Sequence, residues 1–516
     1  MKISKKYTLS LLLFCTLFAA HCFSESQSYL LSLSDAVKLA LENNFDFRND
    51  GLDLELNESV YRSGMAPYFP RLSLEADSVH TQVDSGGYTN ESSRNDHFRA
   101  DISKRFSTSG GALSLYSDVI RYDESDSRYD EYLDSDFGIY SNTLGLRFQQ
   151  PLLKNAGLWG DRITVRKNRL ARENARFRFV QAQRRLILDV IIQYFAALKQ
   201  EKLVEIALRG VEDAMVHLKN SQIKLEEGLV AQMDVSQAEL QLARQQTTLI
   251  RIQQAAASQV DSLKLTLSIP LDSSLVFADA PEHIPEEISL DAAIEEALGQ
   301  RLDLRILKND IISAEMTATQ AMNQRLPALD LLLNAESVQR SDRFGDSFRF
   351  DDDTRSIRIG FSYVLGDRTN RENWNQARIR LKKLENNLMN ACIAVEKEVR
   401  DEIRHYQSLV EALKVSEKAL AVAEMNFQLA GQSYQEGLTS NLDLIRSQDD
   451  LIDAGNNYYS DILDLAAAKA RIIYALGRDI DPENLRLNPC SLDQSLTTQQ
   501  ENNLVNGHSG DNGNDE

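Results

Sequence analysis

The stretch LSLSDAVKLALENNFDFR, Leu31–Arg48, recurs without a gap as ISLDAAIEEALGQRLDLR, Ile288–Arg305. The same register carries Pro70, in YFPRLSL, onto Pro327, in RLPALDL. In both places a helix-favouring run ends at a proline and an alternating one begins. A second pair of segments follows, EEGLVAQMDVSQAE from Glu226 and QEGLTSNLDLIRSQ from Gln435. The chain therefore holds one architecture twice, and a repeat of this length decides the fold before any local pattern does.

Working outward, the repeats divide the 516 residues into a leader (1–24), a first repeat (25–286), a second repeat (287–480) and a polar tail (481–516). The leader places lysines ahead of an apolar run, Leu9–Ala20, too short to span a bilayer but suited to a secretory signal. The protein is thus expected to be exported. Cleavage after Cys22 or after Ser24 both fit; Ala20 and His21 make a poor lipoprotein acceptor, and whether Cys22 carries lipid stays open. A formal charge of −20 argues against nucleic acid as a partner, because phosphate backbones are held by clustered Lys and Arg. Cys392 and Cys490 are open to two readings in an oxidising compartment, a disulfide or two separate thiols. The tail beyond Cys490 has almost no apolar residues and is expected to be disordered.

None of the nine prolines lies between Pro151 and Pro270 or between Pro327 and Pro482. Each gap accommodates a very long helix, 161–227 and 370–436, on the order of 100 Å at 1.5 Å per residue. Val204, Val211, Leu218 and Leu225 recur every seven residues, as do Leu413, Leu420, Phe427 and Tyr434 at the matching places of the second repeat. That period predicts coiled-coil packing, with Ala207, Ala214 and Ala423 allowing close approach; an ordinary helical core stripe is the other reading. After each Gly-Leu pair a shorter helix returns, Asp234–Leu267 and Asp443–Leu476, and helices over Ser34–Met65 and Asp291–Arg325 are expected to cover the remainder.

Between the helices the pattern changes to period two. Leu72, Leu74 and Ala76 alternate with polar residues, as do Leu113, Leu115 and Ser117, then Leu144, Leu146 and Phe148, and Ile357, Ile359, Phe361 and Tyr363. Such strands suit a barrel wall with lipid on one side and water on the other. Two strands per repeat give four per chain, too few to close a barrel without further copies. The first repeat is longer by a hairpin-like segment, Arg99–Arg121, turning at Ser109–Gly111; whether it joins the wall is open at this level.

No motif supports catalysis. The seven histidines are scattered, none spaced as a metal pair on a helix, and phosphate-cradling glycine loops are absent. The acidic run Asp351–Asp353 reads as solvated rather than as a calcium site. No enzyme activity, cofactor or metal is therefore expected.

The tandem halves, the order helix, strands, long helix, Gly-Leu turn, helix, and the motifs GLVAQMDV and GLTSNLDL resemble the TolC-type outer-membrane efflux proteins, from about Leu31 to Arg478. The resemblance implies a mainly α fold with a membrane β-barrel. Each protomer is a tandem repeat of long coiled-coil helices plus barrel strands, and closes with its copies into a trimeric α/β barrel. It further implies a homotrimer in the outer membrane of a diderm bacterium, extending into the periplasm. The partners it implies are outer-membrane lipid, a periplasmic adaptor (membrane fusion protein), and an inner-membrane pump or ABC secretion transporter.

By motif position the adaptor-docking turns are Gly228-Leu229 and Gly437-Leu438, although helix capping alone accounts for the glycines. Asp234, Tyr434 and Asp443 match the family's pore constriction. Thr439 and Arg446 depart from it, and pairing of Arg446 with Asp443 or Asp449, or plain solvation of these charges, are the other readings. Trp159 and Trp374 follow the last strand of each half, where the resemblance places the inner-leaflet boundary; they are expected as interface anchors or as packing between strands and helices. A different class, an exported coiled-coil adaptor or scaffold without a pore, shares the helices and the leader but has no need of strands in both halves.

Overall fold

The computed structural model describes residues 28–84, 90–126, 139–157, 160–278, 288–349 and 352–482. The leader 1–24 with Cys22, Trp159, Asp351, Cys490 and most of the tail lie outside them. The described helices are α1 (Leu33–Asn43), α2 (Phe45–Met65), α3 (Asp161–Glu226), α4 (Gln232–Leu267), α5 (Leu290–Gln300), α6 (Leu302–Asn323), α7 (Arg368–Gln435) and α8 (Asn441–Ala475). The strands are β1 (Ser28–Leu31), β2 (Arg71–Asp84), β3 (Asn90–Arg105), β4 (Ala112–Asp126), β5 (Ile139–Pro151), β6 (Ser274–Phe277), β7 (Ala328–Ser341) and β8 (Asp352–Ser362). None of the described helices is long and apolar enough to cross a membrane.

The chain forms two compact units, and both draw on both repeats. The helical unit takes Met1–Asp50, Val180–Arg301 and Cys392–Glu516; the sheet unit takes Gly51–Phe179 and Leu302–Ala391.

In the sheet unit six strands pair antiparallel in the order β2-β3-β4-β5-β7-β8. The first repeat thus supplies four strands rather than two. The additional pair β3 and β4 lies inside the sheet, turned by hydrogen bonds from Phe106 N–H to Gly111 O and from Gly110 N–H to Phe106 O, both 2.8 Å. Because side chains alternate between faces, the register sorts them cleanly. One face carries the row Leu72, Ile102, Leu115, Leu146, Ala335 and beside it Leu113, Phe148, Leu333, Ile357. The other carries Ser73, Asp101, Tyr116, Gly145, Glu336 and Thr354. Strands β2 and β8 each have one neighbour and leave an open edge.

In the helical unit the core gathers Ala36, Val37 and Ala40 of α1, Ile191, Tyr194, Phe195 and Leu198 of α3, Leu263 and Leu267 of α4, and Leu463 and Ala466 of α8. A short parallel pair, β1 with β6, closes over it, Leu31 opposite Phe277. Helices expected as single pieces over Ser34–Met65 and Asp291–Arg325 are each broken once. The breaks fall at Asn44 and Arg301, equivalent positions in the duplicated register, both extended at ψ 123° and 128°. Asn44 accepts from Phe47 N–H at 2.9 Å and donates to Thr266 O at 2.8 Å, while Arg301 donates to Glu398 Oε2 at 2.7 Å. Long-range bonds of this kind outweigh local helix preference.

The heptad is present but displaced. Val204, Val211, Leu218 and Leu225 are only half-buried, and the fully buried line on α3 is Ala207, Ala214 and Ser221, three residues on. Small residues at this spacing let the helices approach closely. At Gly210 on the same side an added Cβ would lie 2.8 Å from Ile452 Cδ1, and the Gly210 carbonyl accepts from Gln448 Nε2 at 3.1 Å.

Candidate functional site: the sheet faces and the hairpin turns

Two features of the sheet unit carry chemistry. Its apolar face is uncovered within the chain: Leu74 is 65%, Phe98 48%, Leu146 45% and Ile357 77% exposed. A contiguous apolar surface on this scale marks an interaction face, and one that crosses every strand of an open sheet suits lipid. The opposite face is polar and internally bonded. His97 sits between two carboxylates, Nδ1 3.0 Å from Asp77 and Nε2 2.5 Å from Asp118. Tyr116 Oη donates to Glu336 at 2.9 Å, and its ring lies between the guanidinium groups of Arg99 and Arg147, 5.4 and 5.2 Å from the centroid. These bonds tie the additional hairpin to β2, β5 and β7, so it is an integral part of the sheet.

The turns of the helical unit repeat one geometry. Gly228 and Gly437 both have φ 75°, in the left-handed region that glycine enters without strain. Leu229 N–H donates to Lys224 O and Leu438 N–H to Ser433 O, each 2.8 Å, which closes the long helices with the same six-to-one bond. Leu229 and Leu438 are then left 68% and 76% exposed, more apolar surface than a cap requires.

Asp234 and Asp443 open the return helices. Asp234 accepts from Ala231 N–H at 3.0 Å. Asp443 N–H donates to Ser440 Oγ at 3.2 Å and its carboxylate accepts from Ser440 N–H at 3.4 Å, a complete capping box, with a further bond from Ser440 Oγ at 2.6 Å. The Ser440 hydroxyl holds the Asp443 carboxyl below the usual carboxylate range. A depressed folded pKa contributes stability that is fully present above the unfolded value and is lost as pH falls through the folded one. Ser440→Ala is expected to cost about 1 kcal/mol, the usual worth of an N-cap serine, and to bring the Asp443 titration back up; thermal melts and carboxyl NMR titration check both.

Tyr434 does not face an opening within the chain but is buried at 7% exposure against α3. Its hydroxyl lies 3.3 Å from Ser221 Oγ, Lys224 Nζ donates to its carbonyl at 2.7 Å and stands 3.9 Å from its ring centroid, and His217 packs edge-on. His217 bonds Asn441, whose amide donates to Asp234 O at 2.8 Å, so Asn441 ties the N-termini of α4 and α8 directly and joins both to α3. Burial lowers the His217 pKa and keeps the ring neutral. Arg446 is exposed and acts on Asp443 through charge alone. Asp449, the other carboxylate considered for it, accepts instead from Gln241 at 2.7 Å and Gln245 at 3.0 Å, and burial pushes its pKa up. His217, Ser221, Lys224, Asn441 and the two glutamines escaped the sequence reading; continuing the small-residue line Ala207 and Ala214 by seven to Ser221 is the signal that could have found them.

Trp374 is half-buried, with Arg325 and Arg378 on its ring at 4.8 and 4.9 Å. Among the described residues no group of three or more His, Cys, Asp or Glu side chains is placed to hold a metal ion, and Cys392 has no disulfide partner among them, Cys490 lying outside.

The family model for outer membrane efflux proteins matches residues 293–478, most of the second repeat. Over that segment the chain resembles the outer membrane efflux proteins. Among solved structures it is similar to the outer membrane protein VceC of Vibrio cholerae, with TM-score 0.65 and 17% identity over 87% of this chain and 97% of that one. The CmeC outer membrane channel of Campylobacter jejuni gives 0.64 and 16% over 91% and 89%. The open state of the MtrE outer membrane channel of Neisseria gonorrhoeae gives 0.63 and 16% over 87% and 90%. At such identities the likeness establishes the fold, mainly helical with a sheet. No curated protein matches the chain by sequence.

Proposed function

We propose that this protein is the outer-membrane channel of a tripartite efflux or type I secretion system. It sits as a homotrimer in the outer membrane of a diderm bacterium and extends into the periplasm, passing small molecules or polypeptides passively to the exterior. The observation that carries the reading is the six-stranded sheet with one exposed apolar face, one polar face and two open edges. Unpaired strand edges are untenable in lipid, so β2 of one copy must pair with β8 of the next until the ring closes. Three six-stranded sheets give eighteen strands, a number at which a barrel leaves an aqueous channel. Val415, Val422 and Leu429, exposed on α7 every seven residues, offer a seam for a neighbouring copy.

In this reading the exposed Leu229 and Leu438, on turns fixed by Gly228 and Gly437, meet a periplasmic adaptor (membrane fusion protein), and an inner-membrane pump or ABC transporter supplies the energy. Asp234, Tyr434, Asp443 and Arg446 belong to the constriction, Tyr434 by fixing the hairpins rather than by lining the pore. Trp374, with Trp159, anchors the membrane interface.

Native mass measurement of membrane-extracted protein is expected to give three copies, and planar-bilayer recording a stepwise conductance. A soluble species without conductance overturns the channel in favour of a periplasmic scaffold. Three symmetry-related Asp443 carboxylates favour cations, so Asp443→Asn is expected to shift the reversal potential away from cation selectivity. An unchanged potential at every pH removes Asp443 from the constriction.

A further inference from the structure

The junctions between strands and helices in the sheet unit carry a charge pattern that conduction leaves unused. Each junction exposes an apolar side chain: Phe69 (64%) before β2, Leu152 (43%) after β5, Leu326 (44%) before β7 and Leu365 (85%) after β8. Just beyond them the two long helices begin with arginines. In α3 these are Arg162, Arg166 and Arg169; in α7 they are Arg368, Arg371 and Arg378. The spacings of three, four and seven place each set on one helix face. The register that brings Glu226 onto Gln435 brings Arg162 onto Arg371 and Arg169 onto Arg378, so the stripe is duplicated with the fold.

All six side chains are exposed, and none forms an ion pair with a described carboxylate. Further along α3 the pattern changes, since Arg172 and Arg176 share Glu58 at 2.6 and 2.9 Å. Cations in the first turns of a helix oppose its dipole, which favours negative charge there. Both helix termini carry a carboxylate, but neither serves the stripe: Asp161, opening α3, pairs with Arg105, and Asp367 caps α7 by accepting from Asn370 N–H at 3.0 Å. The six guanidinium groups are thus left without an anion among the described residues, and one that neutralises them has to come from outside. Its setting is given by Trp374, which lies with its ring between Arg325 and Arg378, next to the exposed apolar junction. Exposed apolar side chains, a tryptophan and cations gathered within a few turns are the residue types that meet the boundary between acyl chains and headgroups.

We propose that Arg162, Arg166, Arg169, Arg368, Arg371 and Arg378, with Arg325, form a collar that binds the phosphate headgroups of anionic lipid along the rim of the apolar sheet face. The proposal rests on the sheet being a membrane wall. Guanidinium forks suit phosphate oxygens, and several arginines near one surface act together.

The test uses full-length protein in nanodiscs of phosphatidylcholine alone or with phosphatidylglycerol. The wild type is expected to retain phosphatidylglycerol in native mass spectra and to melt higher in the anionic discs, an advantage that high salt removes. The variant Arg162→Gln/Arg166→Gln/Arg371→Gln/Arg378→Gln is expected to bind this lipid roughly tenfold more weakly or worse, and the corresponding lysine variant to keep most of it. If the fourfold glutamine variant does not fold, Arg371→Gln and the salt response of the wild type decide. No preference for phosphatidylglycerol in the wild type, or the same preference in the glutamine variant, overturns the collar. Altered ion selectivity with unchanged lipid retention also overturns it, by placing the arginines in the pore. Failure of the wild type to enter nanodiscs at all, by contrast, removes the channel reading itself.

Discussion

Gly145→Val is expected to destabilise the sheet unit by about 2–4 kcal/mol and to lower the temperature at which the assembled protein loses its β-structure. Gly145 is the register partner of Tyr116 on one side and of Glu336 on the other. The tyrosine ring lies across this position to reach Glu336 two strands away, and a Cβ on residue 145 would stand 2.3 Å from Tyr116 Cζ. The ring has no room to yield. It is 5% exposed and held between Arg99 and Arg147. A side chain at 145 therefore forces out the ring and breaks its bond to Glu336, which keeps only the Asn334 amide as a donor, at 2.9 Å. Glycine normally weakens a strand, and here it is required by the close approach of another group. Heat-modified mobility in SDS gels and far-UV melts read the effect. Tyr116→Ser in the valine background is expected to restore most of the loss, whereas wild-type melting of Gly145→Val alone would refute this role for the glycine.

That contact was hidden in the sequence for a physical reason. The pairing of Tyr116, Gly145 and Glu336 depends on where β3 and β4 join the sheet, and β3 reads poorly as a strand. Its sequence NESSRNDHFRADISKR has only Phe98, Ala100 and Ile102 on the apolar face, and its outer half is polar on both faces. The long helices and their turns, by contrast, were legible to within a residue or two, because proline-free length, Gly228 and Gly437, and the capping pair Ser440 and Asp443 are local signals. The breaks at Asn44 and Arg301 were not, since neither residue is a helix breaker and both are held by partners far along the chain, Thr266 and Glu398. The candidate constriction divides the same way. Asp234 and Asp443 announce themselves as helix starts, while the burial of Tyr434 against Ser221 and Lys224 depends on which face of α3 turns inward. The large residues of the heptad suggested one face, and the small ones, Ala207, Ala214 and Ser221, occupy the tighter contact because two helices approach most closely where side chains are least bulky.

Tyr194→Ala is expected to cost about 3–5 kcal/mol in the helical unit, and Tyr194→Phe at most about 1 kcal/mol. Tyr194 has no exposure and lies at the centre of the cluster formed by α1, α3, α4 and α8. Its ring packs edge-on against Phe195 at 6.0 Å and Phe277 at 5.2 Å, the second of these in β6. Its hydroxyl donates to Leu31 O at 3.0 Å, in the strand that pairs with β6. That carbonyl also accepts from Ala278 N–H at 3.1 Å. Loss of the hydroxyl thus leaves the carbonyl satisfied, and the phenylalanine variant loses one bond without creating a buried orphan. Loss of the ring leaves a cavity that Leu267 and Leu463 are too constrained to fill, and removes the contact by which the β1–β6 pair is seated on α3. The two variants therefore separate packing from hydrogen bonding at one position. Calorimetry on the purified protein reads the difference; equal losses in both variants would mean that the hydroxyl, and not the ring, holds the strand pair to the helix.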